Sequence, residues 1–124
     1  MKKLLLLMVI VIFLLTAGIA AADNAVTFRW DANTESDLAG YRLYQTDTSG
    51  SYIFGNGNQV DTIPAGTETT TIENVPDGIL FWVLTAYDTE GNESGQSNEV
   101  SATMDSTPPG APIILEITAI VKAP

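Results

Sequence analysis

The chain has 124 residues, no Cys and no His, and 15 acidic against 5 basic side chains, a formal net charge of −10. Without His it lacks the commonest acid–base group, the commonest metal ligand and the side chain that changes charge near neutral pH. Without Cys it has no disulfides, and its acidic excess argues against nucleic acid and anionic membrane surfaces as partners.

The first segment reads as an address. Met1-Lys2-Lys3 is basic, residues 4–15 are an unbroken apolar run, and residues 16–22 are small and end Ala20-Ala21-Ala22. That is the layout of a cleaved secretory signal peptide, a short helix ahead of the domain. The alternative is an uncleaved anchor, because residues 4–22 carry no charge and are just long enough to span a bilayer. A membrane is a partner only in that case. The chain therefore divides into a signal peptide (1–22), one β-domain (23–104) and a Pro-rich linker with a C-terminal strand (105–124). Removing residues 1–22 takes away Lys2 and Lys3, so the net charge moves from −10 to −12.

The rest alternates at period two. Val26, Phe28 and Trp30 share one face of a strand over 25–30, with Thr27 and Arg29 on the other. A polar loop follows over 31–37. The second strand, 38–45, points Tyr41 and Leu43 inward and Arg42 and Tyr44 outward. Tyr52-Ile53-Phe54 and Gln59-Val60 flank Gly55-Asn56-Gly57-Asn58, a hairpin signal centred on Asn56-Gly57. Pro64-Ala65-Gly66 breaks the chain, and 69–75 is a Thr-rich strand with Ile72 as its core residue. Val75-Pro76-Asp77-Gly78 is a tight corner. The longest strand, 79–88, carries Leu80, Trp82, Leu84 and Ala86 on one face and Phe81, Val83, Thr85 and Tyr87 on the other. A last strand over 97–104 turns Val100 and Ala102 inward. No helical period occurs after residue 22. Short strands with a turn signal about every ten residues predict an all-β, antiparallel sandwich.

Four stretches carry a family resemblance. They are Trp30, the D-L-A-G-Y-R-L-Y run at 37–44, the V-P-D-G corner at 75–78, and T-A-Y-D-x-x-G-N-E-S at 85–94. Residues 25–104 thus resemble a fibronectin type III module of the kind found in bacterial exported proteins. The resemblance implies an immunoglobulin-like β-sandwich. The chain departs from the family twice. The Tyr that pins the corner early in the long strand is replaced by Leu80 and Phe81. Cleavage after Ala22 would also leave only Asp23 and Asn24 where the family's first strand belongs.

Residues 105–112 resemble the linker between tandem modules, and 113–121 resemble the first strand of a following one. Ile113, Leu115, Ile117 and Val121 make this a candidate pairing strand, since an apolar strand left open is an aggregation hazard. It is expected to pair within its own chain, either at the sheet edge beside the last strand or, after crossing the domain, at the first-strand position. The other route is donation into the vacant first-strand position of another molecule, which would make the chain self-associate.

Candidate sites are few. Asp31, Glu35 and Asp37 alternate in one loop and Asp88, Glu90 and Glu93 lie in another. The resembled topology puts both loops at one end, where hard oxygen ligands suit Ca²⁺. These residue types are also ordinary turn formers, so no metal and no cofactor is expected. Ser and Thr have no imidazole base to activate them, and a carboxylate pair would need a cleft and one raised pKa; the chain is not expected to be an enzyme. Tyr44, Phe81, Val83 and Tyr87 form a candidate contact face on the outer side of the sheet. The expected function is that of a non-catalytic exported module mediating protein contact or assembly at the cell surface, in the periplasm or outside the cell. The alternatives are a carbohydrate-binding module using Tyr44, Tyr52, Phe81 and Tyr87, and a Ca-dependent surface protein.

Overall fold

A computed structural model describes residues 8–15, 23–55 and 57–116 of the chain. The strands in order are β1 (Met8–Leu15), β2 (Asn24–Trp30), β3 (Leu38–Thr46), β4 (Gln59–Pro64), β5 (Thr69–Ile72), β6 (Gly78–Asp88) and β7 (Val100–Met104). They form two antiparallel sheets, one ordered β1-β2-β5 and one ordered β4-β3-β6-β7. The described residues contain no helix.

The alternation in the sequence decides which side chains enter the core. Val26, Phe28 and Trp30 of β2 are buried, as are Tyr41 and Leu43 of β3 and Leu80, Trp82, Leu84 and Ala86 of β6. Together with Ala102 and Met104 of β7 they form one cluster fed by both sheets. Phe28 meets Trp82 edge-on at 5.3 Å, and Trp30 meets Tyr41 at 5.2 Å. These offset aromatic contacts add to the area they bury. Trp82 also donates its indole N–H to Gln45 Oε1 at 2.9 Å.

Several elements differ from the sequence expectation, among them the last strand, which starts at Val100 rather than at 97. Residues 8–15, read as part of a signal helix, are extended as β1. They pair with β2 from Met8↔Trp30 to Leu15↔Asn24. Val9, Ile10, Val11 and Ile12 are β-branched residues that suit a pleated strand, and the edge of β2 offers them a full backbone ladder. The position beside β2 expected to be empty is therefore occupied by residues 8–15.

The expected hairpin arm at 52–54 is not a strand. It belongs to a closed loop in which Asn58 N–H donates to Ile53 O at 3.2 Å and Asn58 Oδ1 accepts the Ile53 N–H. β4 begins only after it and runs longer than Gln59-Val60, adding Ile63 to the core. The Thr-rich strand ends at Ile72, because Asn74 takes a left-handed φ of 54° before buried Val75. Residues 105–116 form no strand, and Ile113, Ile114 and Leu115 are 82%, 78% and 91% exposed. The described half of the tail does not pair with its own sheet; Ile117 and Val121 lie outside the described residues.

The corner before β6 is held by side-chain bonds from distant segments. The Asn24 side-chain amide donates to Val75 O at 3.1 Å and to Asp77 Oδ1 at 2.7 Å. The Val75 N–H returns to Asn24 O at 3.0 Å. Asp77 also accepts the Ser106 N–H at 2.9 Å and its hydroxyl at 3.0 Å. One carboxylate thus joins the start of β2, the corner and the exit of the chain from β7. These bonds, from Ser106 first and then from Asn24, hold Asp77 below the usual carboxylate range.

Candidate contact surface

The outer side of the β4-β3-β6-β7 sheet carries the candidate surface. Alternation places Tyr44 on β3 and Phe81, Val83, Thr85 and Tyr87 on β6 on that side, and Tyr44 lies directly across from Val83. Their expected exposure is not found. Tyr44, Val83 and Thr85 are all 0% exposed, and Phe81 and Tyr87 are half-buried. The expectation of an open contact face at these positions is corrected for Tyr44 and Val83. The reason is a cover: the loop between β3 and β4 folds back over the sheet.

Its aromatic residues supply the packing. Phe54 meets the Tyr44 ring edge-on at 4.9 Å, and Tyr52 lies beside Phe54 at 6.2 Å. Gly55 N–H donates to the Tyr44 hydroxyl at 3.4 Å. Two carboxylates from the segment between β6 and β7 act here, Glu99 on the loop and Glu93 on the sheet residues beneath it. Glu99 accepts the Ser49 hydroxyl at 2.5 Å, the Gly50 N–H at 2.9 Å and the Tyr52 hydroxyl at 2.8 Å. Glu93 Oε1 accepts the hydroxyls of Tyr44 and Thr85, both at 2.5 Å. Its Oε2 pairs with Arg42 Nη1 at 3.2 Å. The Arg42 guanidinium in turn lies 4.2 Å from the centre of the Tyr87 ring, a cation–π contact.

The electrostatics follow from those contacts. Glu99 is held below the usual carboxylate range by the Ser49 hydroxyl first, against the opposing effect of burial. Burial first, and then the bond to Glu93, raise Tyr44 above its usual 10.0. Burial and Glu99 raise Tyr52 in the same direction. Burial disfavours each phenolate, and the hydrogen bond each phenol donates to a carboxylate adds to that effect.

What remains open to solvent is a rim rather than a row. Ile53 is 68% exposed and Phe54 46%, at the tip of the covering loop, with Val60 at 39% beyond it. Sequence reasoning misses this tip because it reads 52–54 as a hairpin arm. The signal is present in Tyr52 and Phe54, two aromatics spaced two apart in an otherwise Gly- and Asn-rich stretch, which gives a loop an apolar underside.

The acidic loops do come to one end, since Thr89 N–H donates to Asp37 O at 3.0 Å. Their carboxylates do not converge. Asp88 Oδ1 accepts the N–H groups of Glu90 and Asn92 at 3.0 and 2.8 Å, and its Oδ2 accepts Asn92 Nδ2 at 2.9 Å. Glu93 turns to the sheet face, and Glu35 accepts Asn33 Nδ2 at 3.3 Å. Asp31, Asp37 and Glu90 are exposed. Among the described residues no three such groups stand close enough to hold a metal ion. A shallow depression of about 400 Å³ lies elsewhere, lined in part by Gln45, Asp47, Asn58, Asp77 and Leu80; no residue of the acidic loops lines it.

No family model and no curated protein matches the chain. Among solved structures it is similar to the spore cortex lytic enzyme SleM of Clostridium perfringens, at 25% identity and a TM-score of 0.51. That match covers 73% of this chain and 26% of SleM. It is also similar to a β-1,2-glucanase from Parabacteroides distasonis, at 25% identity and a TM-score of 0.52 over 64% of this chain. The chain spans about a quarter and a tenth of the lengths of these two enzymes.

Proposed function

We propose that this chain is a non-catalytic exported module of the fibronectin type III kind, an immunoglobulin-like β-sandwich that works by protein contact at the cell surface, in the periplasm or outside the cell. One observation carries the reading. The loop between β3 and β4 is pinned across the sheet by Glu99 and by the bond from Gly55 N–H to the Tyr44 hydroxyl, yet holds Ile53 and Phe54 out to solvent. A rigid loop that presents apolar side chains has already met the ordering cost of binding, and such a tip is suited to a protein partner. The division into β1-β2-β5 and β4-β3-β6-β7 supports the sandwich, because the chain passes from one sheet to the other between β2 and β3, β4 and β5, and β5 and β6. The basic start, apolar run and Ala20-Ala21-Ala22 site support export.

A photo-cross-linking residue at position 53, in cells that export the chain, tests the reading. The expected product is an adduct with another polypeptide that fades when Phe54 is changed to Ser. No adduct at 53, with release of soluble sugar from peptidoglycan or a β-glucan by the purified protein, overturns it.

A second reading, carbohydrate binding, has its own support. The two similar structures are those of a cortex-lytic enzyme and a glucanase, and Phe54, Tyr52 and Tyr87 keep part of their ring surface exposed. Binding on a glycan array that disappears in Phe54→Ala and Tyr87→Ala would favour it.

A further inference from the structure

The leader run and the sheet make competing demands on residues 8–15. As β1 they complete the β2 edge, pairing from Met8↔Trp30 to Leu15↔Asn24. On the other side, β5 covers only Val26 to Arg29. Removing residues 1–22 would leave the N–H and C=O groups along that side of β2 without partners. An open strand edge beside a hydrophobic core is a template for another strand.

The outward row of β2 shows what kind of strand fits. Arg29 is exposed, and the Thr27 hydroxyl bonds the Thr71 hydroxyl at 2.8 Å. β1 sets Ile10 across from Arg29 and Ile12 across from Thr27. The C-terminal segment offers a better chemical match. Leu115, Ile117, Ala119 and Val121 alternate with Glu116, Thr118 and Ile120. In an antiparallel register that sets Leu115, Ile117 and Ala119 across from Trp30, Phe28 and Val26, Glu116 falls opposite Arg29 and Thr118 opposite Thr27. Directly opposed residues share a face. The register therefore turns the apolar set to the core, adds an ion pair outside, and extends the Thr27–Thr71 row.

The donor is not the same molecule. The chain leaves β7 at the end where β2 begins, held there by Ser106 on Asp77 and by Asn24 on Asp77. An antiparallel partner of β2 must start at the other end, beside Trp30. From Ser106 to Leu115 the extended chain reaches at most about 30–32 Å. The route is about 20 Å along β2 plus about 10 Å between sheets, which leaves nothing for the reversal, and Pro108, Pro109 and Pro112 stiffen the path. A second copy placed head to tail presents its Trp30 end directly to the departing strand.

We infer that the slot beside β2 is an assembly site: on removal of the leader it accepts residues 115–121 of a second copy as an antiparallel strand. The inference rests on the exported-module reading above. Before cleavage β1 caps the slot, so assembly follows export. Each copy both gives and receives a strand, so the contact is heterologous and closes into rings or continues as filaments.

The test takes the protein as it is exported. Intact mass first reports whether residues 1–22 are gone, which checks the export reading by itself. Light scattering over a wide concentration range then reports assembly. The expected result is concentration-dependent oligomers, weakened several-fold by Arg29→Glu and by Glu116→Arg and restored when both are present. Ile117→Asp should leave a folded monomer. A processed protein that stays monomeric at every concentration overturns the inference. So do single charge reversals that the double variant fails to rescue, and a mass that retains the leader.

Discussion

The Asn24 amide stands 2.7 Å from Asp77 Oδ1, and it also holds Val75 O at 3.1 Å. This pair links the first residue of β2 to the corner that opens β6, and through Asp77 to Ser106.

Replacing Asn24 by Ala should therefore cost more than a surface change. Asn24 is 3% exposed, and its loss takes the side-chain donor from buried Val75 O and one of the two donors from Asp77 Oδ1. The expected destabilisation is about 1–3 kcal/mol, read by urea denaturation. A change below roughly 0.5 kcal/mol would mean that the corner holds without it.

Acid should unfold the domain partly through Asp77 and Glu99. Both are depressed in the folded state, Asp77 by Ser106 first and Glu99 by Ser49 first. A carboxyl with a lowered folded value stabilises the fold above its unfolded value. That contribution is lost as pH falls through the folded value. Melting temperature should hold from neutral pH down to about 4 and drop below it. Asp77→Asn should flatten part of that drop.

Alkali should loosen the covering loop. Tyr44 and Tyr52 are raised above 10.0 in the fold. Their contribution is complete below 10 and is lost as pH rises through the folded values. In an absorbance titration, two tyrosines should ionise late. Glu99→Gln should bring one of them, Tyr52, to lower pH and leave Tyr44 late. Both moving together would mean that the loop lifts as a unit.

Hydrogen exchange reads the same pin directly. Glu99 holds Ser49, Gly50 and Tyr52, so Glu99→Ala should lower local protection over residues 49–55 by about 1–3 kcal/mol. Exchange in β6 should stay unchanged.

The two tryptophans should be costly to truncate. Trp82 is 0% and Trp30 4% exposed, each in edge contact with another ring. Trp30→Ala and Trp82→Ala should each lose about 3–5 kcal/mol, a large part of the roughly 5–15 kcal/mol such a domain holds. Thermal unfolding of either variant at the parent temperature would refute the packing.

The inward phase of β2, β3 and β6 is legible in the sequence alone. Period-two alternation is written in adjacent residues, so Val26, Phe28, Trp30, Tyr41, Leu43, Trp82 and Leu84 identify the core face locally. The candidate surface is only half legible. Alternation rightly places Tyr44 and Val83 on the outer side of the sheet, but their burial depends on a loop held by Glu99, 47 positions from Tyr52. No local pattern encodes which loop will lie across a face. The same holds for residues 8–15: their composition suits both a leader and a strand, and only the open edge of β2 makes them β1. The bond of Asn24 to the corner is likewise a matter of distant segments meeting in space, since its partner Asp77 lies 53 residues away. Alternation determined which side chains face inward; contacts between distant segments decided which outward ones are covered and which strand completes the sheet.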